Sequence, residues 1–276
     1  MEEKFEEEKE ENLHGLDFSS ENDDVDDPLH QNLLKSGNED NLNNVSDKGN
    51  SNSFEELYCS ENDKFLVPVY IVKDDEVIFN GNGVIVGNYL ITADHVVHHE
   101  DENGQITRTA FFEYMNNLIN VVDKQIVYKG KEGVELWESS EHDDICVYEL
   151  NDINSNFKLY EELSNEETFE IGLQLGMKPF RKDENNSNIN AEDRICSVIS
   201  LEVSRSNVKW INCFGIQQTS GSIYPGNSGS ALFRKNVVYG ILIRANQNRF
   251  GDKGMVIKAE YVKKCIEEGK KERIDD

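Results

Sequence analysis

Gln218-Thr219-Ser220-Gly221-Ser222-Ile223-Tyr224-Pro225-Gly226-Asn227-Ser228-Gly229-Ser230-Ala231-Leu232 is the stretch on which the reading of this chain turns. It sets Ser228 inside a Gly-x-Ser-Gly turn, with a strand-like run from Ala231 to Phe233 behind it. A serine hydroxyl is a weak nucleophile until a base stands beside it. Flanking glycines let the backbone turn sharply and keep bulk away from an approaching carbonyl. The amides of Gly226 and Ser228 can then converge on the oxyanion formed by attack, each contributing roughly 3 kcal/mol to transition-state stabilisation. Taken alone, the same residues also read as a surface Gly-Asn turn leading into a strand.

Two upstream segments supply the missing partners. Leu90-Ile91-Thr92-Ala93-Asp94-His95-Val96-Val97 ends an apolar strand on a histidine. Imidazole has an intrinsic proton affinity suited to base catalysis near neutral pH. Asp143-Asp144-Ile145-Cys146-Val147 brings a carboxylate to the lip of another apolar strand. From there Asp144 is expected to accept the Nδ1 proton of His95 and hold its useful tautomer. Asp143 is the local competitor, and strand alternation does not choose between the two. His142 with both aspartates is weak ground for a metal site, and no metal is expected. His98 and His99 read as loop histidines. The order is base, orienting acid, nucleophile, with gaps of 49 and 84 residues that allow each group its own strand or loop.

The chain resembles the chymotrypsin-like serine protease superfamily, with its HtrA-type and viral branches the nearest. The likeness rests on Gly81-Asn82-Gly83-Val84-Ile85-Val86, on Leu90 to Val97, and on Gln218-Thr219 ahead of Ile223 to Gly229. It implies an all-β fold of two six-stranded antiparallel barrels, at about 65–155 and 168–258, meeting at an active-site cleft. It further implies a His95, Asp144, Ser228 triad, oxyanion amides from Gly226 and Ser228, and a peptide or protein substrate cleaved through an acyl-enzyme without a cofactor. Substrate side chains are expected to lie near Ser222, Ile223, Tyr224, Ile243, Arg244 and Ala245. Arg244 either pairs with an acidic substrate residue or points to solvent. Leu242 stands where glutamine-specific viral relatives carry histidine, which argues against that specificity. Ser230-Ala231 departs from the usual Gly-Pro, and Cys146 replaces a common alanine. The competing readings are a catalytically silent protease-fold scaffold and an esterase; the strand-rich pattern disfavours the α/β context an esterase of the hydrolase type needs.

Composition narrows the partners. The 276 residues hold 54 acidic and 28 basic side chains, a formal net charge of -26. Nucleic-acid binding needs a basic footprint, and docking on anionic lipid needs the same sign, so neither is expected. Residues 1–60 hold 18 acidic but 4 basic residues and few aromatic or branched ones, and read as a disordered acidic tail able to recruit a basic partner. Residues 61–276 read as the folded domain. The start, Met1-Glu2-Glu3-Lys4-Phe5, lacks the pattern of a secretory signal, and no apolar run is long enough to span a bilayer. Five widely spaced cysteines, at 59, 146, 196, 213 and 265, favour reduced thiols over a disulfide framework, hence a cytoplasmic or other intracellular setting, or a host cell if the chain is virus-encoded.

Short branched runs punctuated by Gly and Asn predict strands at Phe65–Val72, Val77–Phe79, Gln125–Tyr128, Val134–Trp137, Ile145–Tyr148, Glu170–Leu175, Ile195–Val203, Val208–Ile216, Ala231–Phe233, Val237–Ile243 and Gly254–Ile257, with a strand, a tight turn and a second strand over Gly81–Thr92. Thr107–Val122 has near-helical apolar spacing and reads as a helix or a long insertion. Arg181–Asn190 reads as a polar loop. Glu260–Lys271 predicts a C-terminal helix with Tyr261, Val262, Cys265 and Ile266 on one face.

Overall fold

The computed structural model describes residues 53–73, 76–97, 99–100, 106–107, 110–121, 125–126, 144–161, 169–183, 188–205, 208–210, 212–219, 222–224, 226–246 and 253–275. Strands dominate. The first half carries β1 (Leu66–Lys73), β2 (Glu76–Val86), β3 (Tyr89–Thr92), β4 (His99–Glu100), β5 (Ile106–Thr107), β6 (Phe111–Tyr114), β7 (Asn117–Asn120), β8 (Gln125–Ile126) and β9 (Cys146–Glu149). The second carries β10 (Lys158–Leu159), β11 (Gln174–Met177), β12 (Phe180–Lys182), β13 (Ile189–Ala191), β14 (Arg194–Ser200), β15 (Val203–Arg205), β16 (Val208–Trp210), β17 (Cys213–Gln218), β18 (Ala231–Arg234), β19 (Val237–Asn246) and β20 (Lys253–Lys258). Among the described residues three α-helices, α1 (Phe54–Leu57), α2 (Asp94–Val97) and α3 (Ala259–Asp275), and a 3-10 helix at Ser60–Phe65 accompany them.

The expectation of two closed six-stranded barrels is corrected. The second-half strands run β19-β18-β11-β14-β17-β20 and close through a β19–β20 ladder, with β10 added in parallel on the outside of β19. Closure depends on β19. Its first residues pair with β18, the rest pair with β20, and a bulge between Leu242 and Arg244 bends it around the corner. The first-half strands form an open, curled sheet in the order β7-β6-β1-β2-β3-β9-β8. Its two edges are poor partners for each other. Strand β8 has two residues, and β7 exposes Asn117, Leu118 and Asn120. No ladder joins them among the described residues.

Four local readings also change. The Thr107–Val122 stretch is strands, with β6 and β7 joined at Met115 and Asn116, which both take positive φ. Alternation explains it, since Ala110, Phe112 and Val121 face the core while Glu113 and Leu118 face water. Arg181–Asn190 contributes to a β12–β13 hairpin. The Val208–Ile216 run is two strands divided at Asn212, whereas Val77 to Val86 is one continuous strand. Residues 54–60, read above as the end of the tail, are folded. Leu57 is fully buried, Phe54 and Tyr58 pack on Phe233, and the Tyr58 hydroxyl donates to Asp63. The predicted Val134–Trp137 strand and residues 1–52 lie outside the described residues.

The C-terminal helix follows its pattern. Tyr261, Val262, Cys265 and Ile266 are buried in a cluster shared by the first sheet, through Val84, Ile85, Leu90, Ile91 and Tyr148, and the second, through Val238, Ile241 and Ile257. A second cluster around Leu175, Met177, Phe214, Ile216 and Leu232 fills the closed barrel. Burial of this many aliphatic side chains, each worth about 1.5–3 kcal/mol relative to exposure, holds both halves firm enough to fix the loops between them.

Candidate active site

His95 is delivered by the β2–β3 hairpin. Strand β3 is buried through Leu90, Ile91 and Thr92, pairs with β2 on one side and β9 on the other, and runs through Ala93 into the single turn α2. Because Thr92 pairs with Cys146 in that ladder, the residue two before Cys146 lands beside α2. That residue is Asp144. Its backbone carbonyl accepts from the Asp94 amide at 3.1 Å, and its carboxylate accepts from the His95 amide at 2.9 Å. Nδ1 of His95 lies 2.7 Å from Oδ2 and 2.9 Å from Oδ1 of the same carboxylate. A carboxylate only accepts, so Nδ1 donates and Nε2 is left as the acceptor. Asp144 adopts φ of +55°, a left-handed conformation that a short polar side chain tolerates and a branched one does not. Its side chain is 15% exposed and that of His95 49%, so the acid is sheltered and the imidazole is open to solvent. Asp143 and His142 lie outside the described residues.

Ser228 sits on a loop that ties itself. The Asn227 side-chain oxygen accepts from the Tyr224 amide at 2.8 Å, and the Asn227 amide donates to the Tyr224 carbonyl at 3.0 Å. Gly229 donates to Leu242 at 2.8 Å and Leu242 returns a bond to Ser230 at 2.9 Å, which fastens the loop to β19. Gly229 takes φ of +84°, and a methyl group there would overlap the Asn82 carbonyl and the Thr92 hydroxyl, so only glycine fits. Gly226 also takes positive φ, at +89°.

The two halves are stitched together by a residue sequence reasoning missed. Asn82, on β2, is 2% exposed. Its amide donates to the Ser228 carbonyl at 2.9 Å, and Nδ2 donates to the Gly226 carbonyl at 2.7 Å. Its side-chain oxygen accepts from the Phe180 amide at 2.6 Å, and its own carbonyl accepts from the Thr92 hydroxyl at 2.6 Å. The signal was an amide side chain between Gly81 and Gly83, directly before the apolar run Val84 to Val86. Next to it, Gly81 fits between Val96 and the Ser228 carbonyl, both close enough to crowd an added methyl. His95 and the Ser228 loop therefore stand on either side of Gly81. Among the described residues no hydrogen bond joins Ser228 Oγ to His95.

The remaining candidates divide by burial. Ile223 and Ile243 are core residues, Ser222 and Tyr224 are half-buried, and Arg244 and Ala245 are exposed beyond the β19 bulge. The Arg181 guanidinium lies over the Tyr224 ring, 4.0 Å from its centroid. Among the described residues no cluster of three or more His, Cys, Asp or Glu could hold a metal ion, and no helix is long and apolar enough to cross a membrane.

The model of the trypsin-like peptidase domain matches residues 79–241, more than half the chain. The chain belongs to the trypsin-like peptidase domain family. No curated protein sequence matches it. Among solved structures, the trypsin-like domain is similar to the active form of the Rv3671c protease from Mycobacterium tuberculosis, with 12% identity, a TM-score of 0.50 and coverage of 75% of this chain and 81% of that one. It is also similar to tobacco etch virus protease complexed with product, at 10% identity, TM-score 0.45 and coverage of 77% and 78%. A third is the scabies mite inactivated protease paralogue S-I1, at 14% identity, TM-score 0.48 and coverage of 80% and 100%. At these identities the likeness is one of fold alone.

Proposed function

We propose that this trypsin-like domain is a serine endopeptidase. His95 takes the Ser228 proton as the hydroxyl attacks a peptide carbonyl, the amides of Gly226 and Ser228 hold the oxyanion, and His95 then protonates the leaving amine. Asp144 steadies the imidazolium formed between these steps. Water activated by His95 releases the acyl group. The observation that carries the reading is the grip of one carboxylate on both the backbone amide and Nδ1 of His95, at 2.7–2.9 Å. An exposed loop histidine with a merely structural role has no need of that double anchor. Within the family, Gln218-Thr219 ahead of the Ser228 turn favours the HtrA-type or viral branch.

The second reading, a silent scaffold, draws on the missing hydrogen bond between Ser228 Oγ and His95. Catalytic hydrogen bonds are often long before substrate binds, so the two readings are separated by reactivity rather than distance. A fluorophosphonate probe, applied at a pH of about 7–8 where ordinary imidazole is largely neutral, should label the wild type rapidly. Labelling should be lost in Ser228→Ala and in His95→Ala. A folded wild type that does not label is the outcome that sinks the peptidase reading.

A further inference from the structure

A cleft of about 440 Å³ opens beside the Ser228 loop, lined by Phe79, Asn80, Phe180, Arg181, Lys182, Tyr224 and Gly226. Its volume falls within the ordinary range for ligand pockets. The walls are pinned to the catalytic groups on three sides. Asn80 Nδ2 donates to the Val96 carbonyl at 2.6 Å, next to His95. Phe180 is held through its amide by Asn82. Tyr224 is held through its amide by Asn227 and is roofed by Arg181. Of the residues expected near substrate, Tyr224 lines it, and Ser222, Ile223, Ile243, Arg244 and Ala245 do not. The cleft therefore lies apart from the Ile243–Ala245 strand segment, beside the β12–β13 hairpin and the Asn80–Val96 contact; on the peptidase reading it is the path of the chain departing from the cut.

Its chemistry is unusual for this molecule. In a chain with 54 acidic and 28 basic residues, two consecutive cations, Arg181 and Lys182, border the same cleft. Arg181 is half-buried and stacked, so its charge is positioned in advance and partly shielded from water. Lys182 is exposed and forms no ion pair among the described residues. The rest of the lining is aromatic or amide and carries no carboxylate. A general negative field repels acidic peptides, so a local pair of cations beside the scissile bond has a selective effect that the field does not supply.

We infer that this cleft selects an acidic side chain, Asp or Glu, at the first or second residue on the leaving-group side of the cut. The inference rests on the peptidase reading, and the test separates the two. Two pools of randomised peptides are prepared, one containing Asp and Glu and the other Asn and Gln in their place. Each is incubated with the full chain, and the products are sequenced by mass spectrometry. Residues after the cut should be enriched in Asp and Glu. A matched peptide pair made from the best product should show a Glu-over-Gln preference in kcat/KM of roughly tenfold, the scale of one hydrogen bond to a charged group. In Arg181→Gln and in Lys182→Gln the ratio should fall toward one. The ratio is internal to each variant, and the exposed Lys182 side chain makes no hydrogen bond or ion pair among the described residues. Raising salt from about 50 to 500 mM should shrink the preference in the wild type.

A wild type that labels with the fluorophosphonate and cuts both pools without preference after the cut overturns the inference and leaves the peptidase reading intact. A wild type that does not label removes the peptidase reading. Equilibrium binding of the two pools, followed by fluorescence anisotropy, then decides the cleft on its own. Acid-selective binding lost in Arg181→Gln upholds it as a peptide site, and equal binding of both pools overturns it.

Discussion

Replacing Asn82 by alanine tests whether one buried amide holds the Ser228 loop. The substitution removes the Nδ2 bond to the Gly226 carbonyl, 2.7 Å, and the bond accepted from the Phe180 amide, 2.6 Å. It leaves the backbone bond to Ser228 in place. The site is 2% exposed, so both backbone groups lose partners where bulk water does not replace them. Each orphaned group costs about 1–3 kcal/mol, for a total of about 2–6 kcal/mol, with water entry into the vacated space setting the lower end. A domain of this size loses roughly 2–4 °C of Tm per kcal/mol, so the drop should be about 4–24 °C. Labelling is then measured well below the variant's Tm, with folding checked by circular dichroism. On the peptidase reading, the probe rate should fall more than tenfold, because an oxyanion donor out of place costs at least about 2.7 kcal/mol. Asn82→Asp keeps the acceptor for Phe180 but sets a carboxylate against the Gly226 carbonyl, and should be no more stable than the alanine variant. A variant Asn82→Ala within about 0.5 kcal/mol of wild type, or one that labels at the wild-type rate, would refute this account, since surface-like substitutions fall in that range.

Three further outcomes are expected. Leu57→Ala should cost about 2–5 kcal/mol in urea unfolding, because Leu57 is fully buried, and a loss under about 1 kcal/mol would mean the α1 segment is not part of the folded domain. Ser230→Ala should be neutral or stabilising by about 1 kcal/mol, since the Ser230 hydroxyl is buried with no hydrogen-bond partner among the described residues, and a marked loss of stability would contradict that. Thiol alkylation at a pH of about 8 should modify Cys59, which is partly exposed, and spare the buried Cys146, Cys196, Cys213 and Cys265; at Cys196 burial also pushes the thiol pKa up to about 12, so little thiolate forms. Peptide mapping showing Cys196 among the first modified would count against the packed barrel.

Much of the strand order was legible in the residues. Branched runs between Gly and Asn marked most of the ladders, and the Tyr261, Val262, Cys265, Ile266 stripe marked the terminal helix. The Thr107–Val122 stretch misled because its apolar spacing fits a helix and a strand hairpin alike. The choice was made by Met115 and Asn116 turning with positive φ. The folded state of Phe54 and Leu57 was hidden by acidic neighbours, since burial there depends on Phe233, nearly two hundred residues away.

The sequence by itself determined the chemical inventory: a strand-rich chain, a histidine after a buried strand, an aspartate before another, and a serine between glycines. These follow from local composition and period, which nearest neighbours along the chain settle. Only the tertiary structure decided which groups meet. The β3–β9 ladder sets Asp144 against His95, and the bulged β19 closes one barrel while the other sheet stays open. Asn82 joins the two halves at the Ser228 loop, and Arg181 and Lys182 are brought to the cleft beside it. Such contacts depend on ladder register and on packing between residues far apart in the chain, and no local pattern encodes either.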